Sequence, residues 1–181
     1  MAALYHGLVR LSPVSLVVAM VVSGCAAQRA QGPLDVHLGL TPAETARAVR
    51  AYDFCRQADG DAGDGSREIF PQCGRPGVVF GDAWVVAHYR AGRVIRLQRF
   101  ERWADPARAT ARWNQLLERR ARSGPASADA RDEVFARQGI PEHTEAWVAF
   151  ARPRELIGLY LLATPDPTAP AILEEIVPRE P

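Results

Sequence analysis

The sequence contains no lysine; all 22 basic residues are arginine. With alanine abundant, that bias reads as GC-rich coding rather than as a binding signature, although arginine does favour forked contacts to anions. Cysteine is scarce, at three residues, and none has a Cys-x-x-Cys neighbour or a histidine beside it. The usual zinc and dithiol redox patterns are therefore missing. His37, His88 and His143 are dispersed with none at ligand spacing, and no serine stands in a nucleophile-elbow context. Near the N-terminus the uninterrupted apolar stretch, Leu16 to Val22, is far below the roughly 20 residues that a permanent bilayer-spanning helix needs. Cofactor-dependent and metal-dependent chemistry thus has no motif to rest on, and no cofactor is expected.

What is present at the N-terminus is an export address. His6 and Arg10 precede an apolar run from Leu11 to Val22, broken by Ser12, Pro13 and Ser15, and the small residues Ser23 and Gly24 follow. That basic, apolar, small-residue order predicts a cleaved signal peptide over residues 1–24. Val22-Ser23-Gly24-Cys25 resembles the lipobox of bacterial lipoproteins, in which a branched apolar residue and two small ones precede a cysteine. The resemblance implies a diacylglycerol in thioether linkage on Cys25 and a third acyl chain on its new amino group. Several chains anchor stably where one binds only marginally. Ala26 follows the cysteine where Asp would favour inner-membrane retention in some Gram-negative lineages, which points to the outer membrane facing the periplasm. The alternative is an ordinary secreted protein cleaved near Ala26 and Ala27.

The remaining chain suits one domain of ordinary size, and a hydrophobic content of 48% can build a core. Ala26 to Leu34 is small and polar around Gly32-Pro33, so residues 25–34 read as lipidated cysteine plus flexible tether and 35–181 as a single domain. With Cys25 taking lipid, Cys55 and Cys73 are left as a disulfide pair in an oxidising compartment. A metal-bound or free-thiol state of the two is the competing reading.

Removal of the signal deletes Arg10 and no acid, which leaves the mature chain formally neutral. Its charge is nevertheless uneven, because arginines crowd the stretch from Arg90 to Arg122. Arg90, Arg93, Arg96, Arg99 and Arg102 are a candidate patch for an anionic envelope component or an acidic protein. The alternative is a solvated face neutralised by acids elsewhere. Nucleic acid is excluded as a partner by the export signal.

Thr41-Pro42-Ala43-Glu44 predicts a capped helix start with a capping box. Trp84–Tyr89 and Arg93–Phe100 predict a hairpin about Ala91-Gly92. A two-residue turn there would put Trp84, Val86, His88, Ile95 and Leu97 on the core face and Val85, Ala87, Arg96 and Gln98 on the other. Arginines at every third position also permit a helix, but Val94 and Ile95 after the glycine favour strand. Asp105-Pro106 restarts a helix towards Gly124, and Asp129–Gln138 is a shorter one stopped by Gly139 and Pro141. Glu145–Ala151 and Leu156–Ala163 form a second hairpin, with Val148, Phe150, Ile157, Leu159 and Leu161 sharing an apolar face. Ile172–Val177 is expected to dock as a last short strand or turn.

Ala83-Trp84-Val85-Val86 and Ala146-Trp147-Val148-Ala149 open alike, which suggests a duplicated helix-plus-hairpin unit. The order of elements predicts an α+β fold, an antiparallel sheet built from hairpins with helices packed on one face.

His88 is the residue of most chemical interest, since it alternates onto an apolar face; a satisfied rim histidine is the competing reading. Asp59, Asp61 and Asp64 resemble a calcium loop but place glycine at the third ligand position and Glu68 too early. The tryptophans suit core packing better than a ligand groove. Leu38-Gly39-Leu40-Thr41 with Glu44 is similar to the helix opening of small outer-membrane assembly lipoproteins of the SmpA and OmlA type. That similarity implies an accessory role in β-barrel insertion and carries no functional residue across. The expectation is therefore a non-enzymatic envelope module that binds a protein or cell-wall component. A tethered enzyme or small-ligand binder, and an inhibitor of a secreted enzyme, are the alternatives.

Overall fold

A computed structural model describes residues 32–56, 67–74, 83–103, 105–163 and 171–179. The expected signal peptide over residues 1–24, Cys25 and the Asp59–Gly65 loop lie outside the described residues. Three helices, α1 (Pro42–Arg50), α2 (Pro106–Ala121) and α3 (Ala128–Gln138), accompany six strands. These are β1 (Arg67–Pro71), β2 (Ala83–Arg90), β3 (Arg93–Arg102), β4 (Thr144–Ala151), β5 (Glu155–Leu162) and β6 (Ala171–Pro178). The strands form one sheet in the order β1-β2-β3-β6-β5-β4, antiparallel throughout. The α+β class, the hairpin-built sheet and the packing of helices against it agree with the sequence. Among the described residues no helix is long and apolar enough to cross a membrane.

The helices start where their caps dictate. Thr41 accepts from Glu44 N–H while the Glu44 carboxylate accepts from Thr41 N–H, so two orphan donors of the first turn of α1 are satisfied reciprocally. Asp105 caps α2 through Ala107 N–H at 2.8 Å, with Pro106 at the first helical position. Ser127 caps α3, and Gly139 ends it at a φ of 69° that L side chains disfavour.

Strand alternation divides the sheet into two faces. On the front face α1 and α2 cover Phe70, Val85, Ala87, Leu97, Ile157, Leu159, Ile172 and Ile176. On the back face α3 lays Ala130 and Val134 over Ala149, Leu156, Tyr160, Leu173 and Val177. In the second hairpin Val148 pairs with Leu159 and Phe150 with Ile157, which places the predicted apolar set on the front face.

The first hairpin differs from expectation in its register. Ala91 and Gly92 do make a two-residue turn with φ of 49° and 70°, as a type I′ turn requires. But Tyr89 pairs with Val94 and His88 with Arg96, which leaves Ile95 as an extra residue. This bulge exchanges the faces beyond it. Leu97 joins Val85 and Ala87 in the core, while Trp84, Val86 and His88 share the back face with Arg96 and Gln98.

One further expectation is corrected. Leu34, assigned to the tether, is fully buried; its N–H donates to Glu174 at 2.7 Å and its C=O accepts from Arg120 at 2.9 Å. Residues 32–34 therefore belong to the domain. The Ile172–Val177 segment, expected as a last short strand or turn, is a strand: it makes up most of β6, which is central in the sheet and pairs with β3 and β5. Each half of the sheet is a three-stranded meander preceded by helix. The two Trp tetrapeptides open β2 and β4, which are the second strand of one half and the first of the other, so the topological repeat does not rest on them.

Candidate functional site

The tandem acids of β6 point through opposite faces of the sheet, and both are about 1% exposed. On the front face Glu174 accepts from Arg120 at 2.5 Å and lies 3.8 Å from Arg99, which is paired with Glu101. Arg112 holds the same Glu101 in a fork at 2.8 and 2.9 Å. Burial by itself would raise the Glu101 carboxyl. The Arg99 charge and the Arg112 hydrogen bonds outweigh it and hold the carboxyl down at about 2, against an ordinary value of 4.5. This network joins α2 and the entering chain to the sheet.

Because Glu101 titrates lower in the folded chain than in the unfolded one, its contribution is complete above about pH 4.5 and disappears as the pH falls through 2. The linkage is worth roughly 3 kcal/mol at neutral pH. Chemical denaturation across this range should show stability falling on acidification, and Glu101→Gln should make the fall shallower. An unchanged pH slope in the variant would show that the carboxylate is not held by its arginines.

On the back face Glu175 is the hub. Its Oε1 accepts from Arg96 Nε at 2.5 Å and from Gln98 Nε2 at 2.9 Å, and its Oε2 accepts from Gln138 Nε2 at 2.7 Å. His88 Nε2 lies 3.0 Å from Gln98 Oε1. Tyr160 lies flat over Gly158, where a Cβ would collide with its ring. Burial, and then the nearby Glu175 charge, push the Tyr160 phenol up to about 12, so it stays a neutral hydroxyl.

Beside this hub an apolar row crosses the whole sheet: Pro71, Trp84, Phe100, Leu173, Tyr160 and Trp147 are successive cross-strand partners. Trp84 stacks on Phe100 at 5.2 Å, and Trp147 stacks on Tyr160 at 6.0 Å with Arg131 over its ring at 4.7 Å. Helix α3 covers the β4–β5 end of the row. Over β1, β2 and β3 no helix packs on the back face among the described residues. There Ile69 is 42% exposed, and Trp84, His88, Gln98 and Phe100 are half-buried. The surface combines stacked rings with a hydrogen-bonded polar centre.

The sequence-derived residues fare differently. Cys55 and Cys73 are bridged, with Cα atoms 4.9 Å apart. The five arginines of the candidate patch for an anionic partner do not form one group: Arg90 and Arg93 are cross-strand partners at the turn, and the others are dispersed. Arg99 is buried in the front network, Arg96 is tied to Glu175 on the back, and Arg93 bonds Gly39 O near Glu44. Arg90 is exposed at the turn and Arg102 half-buried at the far end of β3. Arg96 and Arg99 fall on opposite faces because a three-residue step along a regular strand changes face. His37, 3.0 Å from Glu155, is remote in role from His88, and no group of three or more metal-ligating side chains occurs among the described residues. Trp103 and Trp113 pack against the front core. Sequence reasoning missed Gln98, Gln138, Glu174 and Glu175. The one available signal was two adjacent acids inside the apolar run Ile172–Val177. No known protein family matches this chain, nor does any curated protein or solved structure.

Proposed function

We propose that the protein is a lipid-anchored envelope module, held through Cys25 at the periplasmic side of the outer membrane, that binds a protein or cell-wall component with the open half of its back face. The observation that carries this reading is the Trp84–Phe100 stack beside exposed Ile69 and half-buried His88, on a sheet face that α3 covers only at its other end. Aromatic groups on a rigid sheet give contact area at low entropic cost. Glu175 already accepts from three side chains, which speaks for a positioning role rather than proton transfer.

A photoreactive residue placed at Ile69 of the full-length protein in its own cells should yield a discrete crosslinked species, whereas one at Arg108, exposed on α2, should not. Cys25→Ala should move the protein from the membrane to the soluble fraction and weaken the Ile69 crosslink. Equal labelling from both positions would remove the case for the back face. Membrane retention of Cys25→Ala would remove the case for the anchor.

A further inference from the structure

Where the chain enters the domain, a cleft of about 540 Å³ opens between Gly32-Pro33 and the C-terminal end of α2, with Arg119, Arg120 and Arg122 in its wall. Arg120 is 3% exposed. One of its terminal nitrogens serves Leu34 O and Glu174. Its Nε–H is buried with no acceptor among the described residues. A buried guanidinium donor without an acceptor is unusual in a folded chain, and here it belongs to a side chain that walls a cavity. Arg122 stands exposed at the C-cap of α2. Of the two carboxylates in the wall, Asp35 is drawn to Arg152, and Glu118 is exposed.

We propose that this cleft is an anion site that takes a phosphate group, presented either by a phospholipid headgroup or by a free phosphate ester. Guanidinium groups present paired donors at the spacing of two phosphate oxygens, and a buried one needs no reorganisation to bind. The volume exceeds that of a bare carboxylate and admits an ester with part of its alcohol. Gly32 follows Cys25 by seven residues, so a lipidated Cys25 keeps the cleft within about 25 Å of the leaflet surface, at full chain extension. Phosphate is densest there. The inference uses the proposed anchor only to supply the lipid source. It does not involve the back face, so the two fail separately.

The test uses full-length protein in non-ionic detergent micelles, titrated with inorganic phosphate and with glycerol 3-phosphate by calorimetry. Saturable binding is expected, weakened tenfold or more in Arg119→Gln/Arg122→Gln, with the melting temperature in the absence of phosphate unchanged. Should the double variant not fold, Arg122→Gln alone, at an exposed cap position, is expected to weaken binding severalfold. Repeating the titration in phosphatidylglycerol vesicles separates the sources. Loss of phosphate binding there identifies the headgroup as occupant, and persistence identifies a free ester. Absence of saturable binding in micelles would overturn the proposal, as would binding unchanged by the substitutions or reproduced by chloride at equal ionic strength.

Discussion

Glu174→Ala is expected to lower the stability of the domain by about 3–5 kcal/mol, because it leaves the Arg120 charge buried without its partner. The same change removes the acceptor of Leu34 N–H, so the entering chain should loosen together with the end of α2. Urea denaturation of the two forms measures the loss directly. A paired replacement, Glu174→Leu with Arg120→Met, should recover much of it, since exchanging a buried ion pair for apolar groups of similar volume is often neutral. A loss below about 1 kcal/mol for Glu174→Ala is what a solvated pair would give, and it would contradict the burial described above. The arithmetic matters because a domain of this kind has only some 5–15 kcal/mol of stability in total.

Opening the Cys55–Cys73 bridge should have the next largest effect. The closed loop spans 18 residues, which chain entropy values at roughly 3 kcal/mol. For a domain of this size that corresponds to a fall in melting temperature on the order of 10 °C. The bridge fastens the segment after α1 to the end of β1, where Cys55 N–H donates to Pro71 O and Cys73 N–H to Asp53 O, both at 2.9 Å. Loss of the bridge should therefore fray the β1 edge first and expose Phe54 and Phe70, which are buried beneath it. Melting of Cys55→Ser/Cys73→Ser checks the magnitude. Intact mass with and without reduction checks the pairing, and two free thiols in protein recovered from the envelope would refute the bridge and count against the proposed export.

The parts of this fold that sequence made legible are those governed by near neighbours. Thr41 with Glu44, Asp105 with Pro106, and the alternation from Val148 to Leu161 each act within one turn or one hairpin, and each is found where local chemistry puts it. The rest depends on distant partners. The bulge at Ile95 interrupts the β2–β3 register just before β3 begins to pair with β6 at Leu97, and nothing around Ala91-Gly92 announces it. Glu174 and Glu175 read as an interruption of an apolar run, yet they are central because Arg120, Arg96, Gln98 and Gln138 come from elements far away in sequence. Arg99 looked like one of five surface charges for the same reason. Leu34 looked like tether because glycine and proline surround it, and only the pocket formed by α2 and β6 gives it a place.

The position of β6 also constrains how the chain reaches this state. It is the last of the strands to be synthesised, yet it supplies the seam between β3 and β5. Until residues 171–178 have left the ribosome, the two halves of the sheet have no hydrogen-bonded edge in common. The acids that neutralise Arg96 and Arg120 are also still to come. Such long-range closure is slow, so the joining of the two halves is the step that waits on the last strand.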